Sequence, residues 1–563
     1  MIKIQYDKYY KYAEITDILQ SILARYPNLV RLSSIGKSFE GRDIWLLSIT
    51  NYKTGEAHEK PAFWVDGNIH ATELASSMAC LYFIDWLINN HGLDQDVTRC
   101  LDTRVFYICP RLNPDGAERA LADKPNFLRS STRTYPDSVN PGGIVISDID
   151  GDGRVLSIRI PDSNGPWKIS DQDSRLLVRR EPTESGERYY RLIPEGYIED
   201  FDGVTLRKKI PKEGLDLNRN YPAGWRQEHE QPGSGPFPAS EPEVHAAVAF
   251  ITSHSNITGG ISFHTYSGVL LRPYTHFSDD SLPAEDLWAY QLIGAKGTEI
   301  TGYPNISIFH DFRYHPQETI SGTIDNWLYD HLGCFAWTVE IWSPHEQAGI
   351  TNDKFLNWYR EHPVEDDFKL LKWNDEKLDG KGFVDWYPFV HPQLGPVEIG
   401  GWDVLYTWRN PPPNMLESEI RRFPKWLVWH LLISPKLELI EASAVSLGNC
   451  SYKIRLVVQN TGWLPTYITK RALTNKLTLG VVCEIDFPRN CKLIAGEKRV
   501  VHGQLEGRAH KPTSALGYVN WDADPTDDRL KIEWVIDAPC GTLIKLIAKH
   551  ARTGTVSAEL LLT

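Results

Sequence analysis

A histidine and a glutamate, His70 and Glu73, are well placed in this sequence to hold a metal ion together. They follow a strand-like run at residues 63–65 and an Asp-Gly-Asn turn, and they precede the helical apolar spacing of residues 74–87. We therefore expect both on the first helical turn, where side chains three apart reach the same face. An imidazole and a carboxylate are two of the three protein ligands of a His₂Glu zinc site. Without further partners, the pair also fits an ordinary surface ion pair.

Two other strand-like segments end on residues with metal or proton chemistry. Residues 259–264 end on His264, and residues 335–340 end on Glu340 within an apolar run. In open α/β sheets, sites form beyond the carboxyl ends of the strands, so these ends are expected to meet near His70. A glutamate in such apolar surroundings is costly to bury unless it is paired or takes part in chemistry.

An ordered set of motifs over roughly residues 5 to 345 carries a family resemblance. The motifs are residues 35–42, the His70/Glu73 pair, Asn-Pro-Asp-Gly at 113–116, Asp-Leu-Asn-Arg-Asn at 216–220, Ser-Glu-Pro-Glu at 240–243, His-Thr-Tyr-Ser at 264–267, and Glu340. In this order they resemble the zinc carboxypeptidases of the A/B type. The resemblance implies a Zn²⁺-dependent exopeptidase that hydrolyses the C-terminal bond of a peptide with a free terminal carboxylate.

The resemblance also implies roles for the metal-site residues. His70, Glu73 and His264 would hold zinc, and Glu340 would be the general base for a metal-activated water. The residue chemistry is compatible with these roles, because zinc with three protein ligands keeps a position for water and lowers the pKa of that water towards ~7. A neighbouring carboxylate can take the proton of the water and pass it to the leaving amine.

On the substrate side, the resemblance implies that Asn218 and Arg219 bind the terminal carboxylate and that Arg129 polarises the scissile carbonyl. A guanidinium suits a carboxylate because its planar fork donates two parallel hydrogen bonds. Taken alone, residues 218–220 would read as a solvated loop.

The specificity pocket is implied by an alignment anchored on Gly322 and Asp325, which places Ile324 at its base. Family members that prefer lysine or arginine have aspartate there, so isoleucine predicts apolar or aromatic C-terminal residues. A shift of one residue would bring Asp325 into the pocket instead. Two positions depart from the family pattern: Tyr314 is the nearest candidate for an expected tyrosine, and Thr72 stands where many members have arginine.

Two alternative functions remain open on the sequence. A zinc amidase acting on an acyl-amino-acid or a cell-wall peptide would use the same chemistry, with Asn218 and Arg219 binding a different carboxylate. A catalytically silent binding protein is the other alternative, and a complete ligand set with Glu340 disfavours it.

A long insertion at about residues 130–212 contains an acidic, glycine-rich loop. Asp148, Asp150 and Asp152 occupy positions 1, 3 and 5 of an EF-hand-like pattern with glycine at position 6, whereas Arg159 stands at position 12. The loop predicts either a structural Ca²⁺ site or a plain Asp/Gly turn.

The wider pattern predicts two domains. Alternating strands and helices in residues 1–434 indicate an α/β domain with a mixed open sheet and helices on both faces, as in zinc carboxypeptidases. Short strands separated by turns in residues 435–563 indicate an all-β sandwich.

Composition limits the classes of partner. The 563 residues carry a formal net charge of −13 and no basic run, which argues against nucleic acid and an anionic membrane surface. No segment has the apolar length of a membrane span or a signal peptide. The eight cysteines form no C-x-x-C pair. We therefore expect a cytoplasmic protein, unless a signal peptide precedes the given residues. The sequence does not predict the oligomeric state.

Overall fold

The structure is a computed structural model that describes residues 4–135, 142–186, 188–207, 213–313, 315, 317–351, 358, 362–509 and 524–563. In chain order, its strands are β1 (Val30–Lys37), β2 (Asp43–Ile49), β3 (Ala62–Gly67), β4 (Val105–Cys109), β5 (Gly143–Ile146), β6 (Ser157–Pro161), β7 (Trp167–Ile169), β8 (Leu177–Arg179), β9 (Tyr190–Pro194), β10 (Gly196–Glu199), β11 (Ile257–Thr265), β12 (Val269–Arg272), β13 (Asn305–Ser307), β14 (Phe335–Ile341), β15 (Phe383–His391), β16 (Gly395–Trp402), β17 (Leu437–Gly448), β18 (Ser451–Asn460), β19 (Val482–Asp486), β20 (Lys492–Ala495), β21 (Arg499–Val501), β22 (Arg529–Asp537), β23 (Leu543–His550) and β24 (Gly554–Leu561).

The α-helices connect these strands and cover their faces. They are α1 (Tyr12–Arg25), α2 (Leu74–Asn90), α3 (Gln95–Thr103), α4 (Pro114–Ala120), α5 (Pro242–Ser253), α6 (Ala284–Thr301), α7 (Ile308–Asp311), α8 (Ile324–Leu332), α9 (Pro344–Gln347), α10 (Val364–Lys377), α11 (Pro413–Ile420), α12 (Pro424–Leu432) and α13 (Lys470–Thr474).

An eight-stranded sheet organises the first part of the chain, in the order β1-β2-β4-β3-β11-β14-β12-β13. Its centre, β4-β3-β11-β14, is parallel, whereas β1, β2 and β12 bring in antiparallel pairs. Side chains alternate between the two faces, so Phe63 and Val65 pack with α2 and α6 while Trp64 packs with α5 and α8. This arrangement confirms the mixed α/β sheet with helices on both faces.

The insertion builds a second sheet together with a distant part of the chain. Strands β6 to β9 join β15 and β16 in the order β15-β16-β6-β9-β7-β8, and β5 pairs with β10 separately. Arg159 on β6 forms an ion pair with Glu398 on β16, 2.7 Å apart. The insertion is therefore structurally tied to residues that follow the main sheet.

The C-terminal strands form two four-stranded sheets, β17-β18-β22-β20 and β21-β19-β23-β24, around a common apolar core. This confirms the predicted all-β part of the fold. Arg552, just after β23, donates to the carbonyls of Gly333 and Leu332 at the end of α8, and Thr469 Oγ1 donates to Gly333 as well. The sandwich thus satisfies the last carbonyls of a helix in the main sheet.

Among the described residues, no helix combines the length and apolar character needed to cross a membrane. All eight cysteines are unpaired thiols, and five of them are buried.

Candidate active site

The loop after β3 is folded by its own polar side chains. Asn68 adopts a left-handed φ of 60°, which asparagine tolerates better than most residues, and its Nδ2 donates to the carbonyl of His70 at 2.7 Å. Asn113 Nδ2 donates to the carbonyls of Ile69 and Ser130. These bonds keep residues 70–73 in a turn, so the expected position on a first helical turn is wrong: α2 begins at Leu74.

The structure brings His70, Glu73 and His264 together as one buried group. Glu73 Oε1 lies 2.8 Å from His70 Nδ1, and Glu73 Oε2 lies 3.0 Å from His264 Nδ1. The two Nδ1 atoms are themselves 3.1 Å apart. Four ligand atoms converge on one point, and the donor set of two imidazoles and a carboxylate fits zinc.

Each histidine is held by a polar group on the side that faces away from this point. Asp216 Oδ1 lies 3.1 Å from His70 Nε2, and Ser262 Oγ lies 3.2 Å from His264 Nε2. Ser262 in turn donates to Asp66 at 2.7 Å. Such outer partners orient ligand histidines and fix which ring nitrogen faces the metal.

Asp216 is charged despite its burial. Burial alone would raise the pKa of its carboxyl, but Arg129, Arg219 and His70 together hold this pKa well below its usual range. Asp216 therefore presents a fixed negative charge to His70 and to Arg129.

Glu340 enters the same cavity from β14. It lies opposite His264 in the parallel pairing of β11 with β14, and both side chains line the cavity with His70. Its Oε2 is shielded from solvent and has no hydrogen-bond partner among the described residues. Burial raises the pKa of Glu340, while His264, Arg129 and Arg409 oppose the rise. A carboxylate with one free oxygen beside the metal ligands is suited to proton transfer.

Arg129, which is expected to polarise the scissile carbonyl, lines the same cavity as Asn218 and Arg219, which are expected to bind the terminal carboxylate. Arg129 Nε is 2.9 Å from Asp216 Oδ2, and its Nη1 is 3.8 Å from Glu73 Oε1. Arg219 is buried and its Nη1 donates to the carbonyl of Asn218 at 2.8 Å. Asn218 Oδ1 accepts from the N–H of Ile324 at 3.0 Å, which ties this loop to the start of α8.

The side chain of Ile324 does not line this cavity, and its assignment to the base of the specificity pocket stays a prediction. Ile324 packs instead in the apolar core under the sheet with Trp327 and Val244. The next residue, Asp325, lines the cavity. On a helix, neighbouring side chains point about 100° apart, so a shift of one position exchanges a core residue for a cavity residue.

Asp325 is buried, and its Oδ2 has no hydrogen-bond partner within the described part of the chain. Burial raises the pKa of its carboxyl. The apolar side chains of Leu271, Ile308 and Phe312 line the same cavity. A carboxylate in a cavity with several apolar side chains suits a long side chain with a cationic tip.

Of the two positions that depart from the family pattern, the structure describes one. Tyr314 lies outside the described residues. Thr72 is buried in the loop, and its carbonyl accepts from Asn410 Nδ2 at 2.8 Å.

A second group of metal-capable side chains lies in the insertion and consists of Asp148, Asp150 and Glu195. Glu195 was not expected from the sequence, because it lies 43 positions or more from the acidic loop. Asp152 is not a member of this group and forms an ion pair with Arg154, 3.2 Å apart. The Asp148 carboxylate accepts from the N–H groups of Gly151 and Gly153, as an Asp/Gly turn does without an ion.

The residues that sequence reasoning missed are those with supporting roles. Asp216 appears within the Asp-Leu-Asn-Arg-Asn motif, so its position carried a signal, but its contact with His70 depends on tertiary structure. Asp66 and Ser262 lie within the buried strands β3 and β11, where polar residues in apolar strands are a usable signal. Asp325 is reached from the sequence if the alignment around Gly322 is shifted by one residue.

Comparison with known proteins gives two matches to family models. A model described as zinc carboxypeptidase matches residues 15–361, and a domain of unknown function (DUF8731) matches residues 436–560. Rattus norvegicus carboxypeptidase A1 is 25% identical over 342 residues, covering 60% of this chain and 63% of the rat protein. Homo sapiens carboxypeptidase B is 25% identical over 355 residues, again covering 60% and 63%. The chain thus spans less than two thirds of the length of these relatives.

Among solved structures, thrombin activatable fibrinolysis inhibitor matches with 20% identity and a TM-score of 0.41. That match covers 65% of this chain and 74% of the other. Carboxypeptidase A from Helicoverpa armigera matches with 19% identity and a TM-score of 0.39, covering 66% and 74%.

Proposed function

This chain belongs to the zinc carboxypeptidase family, and on that premise we propose that it is a zinc-dependent carboxypeptidase that removes a basic residue from the C-terminus of a peptide. The observation that carries this proposal is the shared cavity. Two of the metal-ligand candidates, His70 and His264, line one small space together with Glu340, Arg219 and Asp325. Together they match the parts of one substrate end: a scissile bond, a terminal carboxylate and a side chain.

His70, Glu73 and His264 would hold the metal. When bound there, zinc supplies a Lewis acid that polarises a carbonyl and lowers the pKa of water. The Asp216 and Ser262 contacts keep the two imidazole rings turned with Nδ1 towards the metal position.

Glu340 would move the proton of the reaction. Its free Oε2 accepts a proton from the water that attacks the peptide carbonyl and returns it to the leaving nitrogen. A C–O bond forms, the C–N bond breaks, and the new amine leaves with the proton. Arg129 would stabilise charge on the carbonyl oxygen, because its guanidinium is held by Asp216 while part of it remains exposed.

The selection of a C-terminus would come from Asn218 and Arg219, which bind the terminal carboxylate. Selection of a basic side chain would come from Asp325. Burial makes ionisation of the Asp325 carboxyl costly, and a lysine or arginine side chain of the substrate offsets that cost. An apolar substrate residue would leave it unpaired.

The test is release of free amino acid from a panel of N-blocked peptides ending in Lys, Arg, Phe, Leu and Glu, with and without a chelator. We expect chelator-sensitive release with Lys and Arg cleaved best. The same peptides with an amidated C-terminus are the control, and they should be cleaved poorly because Arg219 then has no anion to bind. Equal cleavage of acids and amides would refute carboxypeptidase activity, and cleavage of acyl-amino-acids alone would favour the amidase alternative.

A further inference from the structure

A segment outside the residues matched by the zinc carboxypeptidase model reaches the edge of the candidate active site. This segment is the π-helical turn Val404–Arg409 together with Asn410. The main chain at Thr407 accepts a hydrogen bond of 2.8 Å from the indole N–H of Trp342, two residues after Glu340. The segment is therefore attached to the strand that carries the proposed base.

The other end of the segment is attached to the metal loop. Asn410 is fully buried; its Nδ2 donates to the carbonyl of Thr72, and its Oδ1 accepts from the N–H of Ala75 at 2.9 Å. Thr72 and Ala75 flank Glu73 closely in sequence. Arg409 thus lies in sequence between Thr407, which is hydrogen-bonded next to the strand of Glu340, and Asn410, which is hydrogen-bonded to the loop of Glu73.

The Arg409 side chain lies against a third segment of the site, the residues that follow His264. Its guanidinium carbon lies 5.3 Å from the centroid of the Tyr266 ring, and Tyr266 follows the ligand candidate His264 by two residues. The positive charge of Arg409 also acts on the Glu340 carboxyl and favours a lower pKa for it. Burial of the Glu340 carboxyl, the largest influence, acts in the opposite direction.

Arg409 is half-buried, and its guanidinium has no hydrogen bond or ion pair to the residues that the structure describes. The aromatic ring of Tyr266 compensates for only part of the lost hydration, because a cation over a ring is a weaker partner than a carboxylate. By contrast, Arg129 and Arg219 both have carboxylate neighbours in Asp216. Arg409 is therefore a cation near the site with donors to offer a ligand.

The position of Arg409 indicates which part of a substrate it meets. It does not line the cavity that contains Arg219 and Asp325, which would take the C-terminal residue. A peptide whose last residue fills that cavity must continue past Glu73 and Glu340 on the other side. The pair of Tyr266 and Arg409 belongs to the same region, because Tyr266 follows His264 by two residues and the segment of Arg409 is hydrogen-bonded next to both Glu73 and Glu340. The acyl part of such a peptide would therefore pass close to this pair.

We propose that Arg409 binds a carboxylate on the acyl part of the substrate, so that the enzyme prefers peptides with an acidic residue one or two positions before the residue that is removed. This inference rests on the proposed function and concerns the same site. The planar guanidinium, already oriented by Tyr266, can donate two parallel hydrogen bonds to such a carboxylate.

The experiment compares kcat/KM for matched peptides ending in Lys that differ only by Glu or Gln, first at the penultimate position and then one position earlier. We expect the parent enzyme to prefer Glu by ~10-fold at one of the two positions, and this ratio to fall as sodium chloride is raised. Arg409→Gln should bring the ratio to about 1, whereas Arg409→Lys should keep part of it. Arg421→Gln alters an exposed arginine on the same stretch of chain. This variant should show the same Glu/Gln ratio as the parent enzyme.

The two proposals fail in different ways. If neither peptide series is cleaved, the proposed function is wrong. If both are cleaved and the parent enzyme shows no preference for Glu at either position, the role of Arg409 is wrong while the carboxypeptidase activity stands. A Glu preference that survives in Arg409→Gln would also overturn the inference, because another cation would then bind the carboxylate.

Discussion

The Nδ1 atoms of His70 and His264 lie 3.1 Å apart although the two residues are 194 positions apart in the sequence. Two imidazole nitrogens at this distance can share an ion, and Glu73 places a carboxylate oxygen within 3.0 Å of each of them. The strand β11 that carries His264 pairs directly with β3, whose following loop carries His70. The site is therefore a consequence of how the parallel strands are ordered in the sheet.

The first prediction follows from this geometry. His70→Ala removes one of three ligands, so the purified protein should lose stoichiometric zinc, measured by elemental analysis together with circular dichroism to confirm folding. His58→Ala is the matched control, because His58 is exposed and precedes β3 whereas His70 follows it, and this variant should retain zinc. Full zinc content in His70→Ala would show that the ion is held elsewhere.

The second prediction concerns the proton. Glu340→Gln keeps the size of the side chain but removes its basicity, so kcat should fall by at least ~10²-fold while zinc content stays unchanged. Glu346→Gln, on the short helix after β14, should retain activity because its side chain is about half exposed and, among the described residues, forms an ion pair with Arg422 alone. Activity within a few-fold of the parent in Glu340→Gln would mean that another group takes the proton.

These two sites illustrate what the sequence can predict. His264 and Glu340 were identified because each ends a strand whose apolar pattern is visible locally, and parallel strands end at one edge of a sheet. The choice between Ile324 and Asp325 is harder, because the N-terminus of α8 has to be placed to within one residue and a helical side chain turns by about 100° per position. The local pattern of Ser321 to Asn326 does not determine that register.

Long-range pairing also limits prediction from sequence. Strand β6 of the insertion pairs with β16, more than 230 positions later, and Arg409 reaches the site only through contacts of Asn410 and Thr407 with distant elements. No periodicity near these residues reports such contacts. Residues within one loop, such as Asn218 and Arg219, can be identified from the sequence because their motif is contiguous.

The third prediction addresses the cleaved residue. Peptides ending in Lys or Arg should be preferred over those ending in Phe by roughly 30-fold or more in kcat/KM, since leaving a buried charge unpaired costs about 2 kcal/mol or more. Asp325→Asn should remove that preference. Ile324→Val trims a methyl group in the core outside the cavity and should leave the ratio unchanged. A preference of the parent enzyme for Phe would favour Ile324 as the specificity residue.

The fourth prediction concerns calcium in the insertion. If Asp148, Asp150 and Glu195 hold Ca²⁺, saturating calcium should raise the melting temperature of the chelated protein by at least ~2 °C, because an ion bound only by the folded state stabilises it. Asp150→Asn should abolish the shift. Asp152→Asn should retain it, since Asp152 pairs with Arg154 instead. An unchanged melting temperature in the parent protein would identify the loop as an Asp/Gly turn.

The fifth prediction uses His430 on α12, which packs beneath the sheet against Phe63 with ring centroids 4.8 Å apart. Neither of its ring nitrogens has a hydrogen-bond partner among the described residues, and burial lowers the pKa of His430 to about 3. Between that value and the unfolded pKa of about 6.5, the unfolded chain binds a proton that the folded chain does not. His430 therefore makes the protein less stable as pH falls below about 6.5.

Replacing this histidine should remove that dependence. His430→Leu should gain stability relative to the parent protein by about 2 kcal/mol on going from pH 7.5 to pH 5, because each pH unit below 6.5 is worth about 1.4 kcal/mol for one proton. The measurement is the difference in melting temperature between variant and parent at each pH, which should widen towards low pH. His58→Leu, at an exposed position, should give a curve parallel to that of the parent. A parallel curve for His430→Leu as well would mean that His430 is protonated in the folded protein, and that a buried acceptor or water satisfies it.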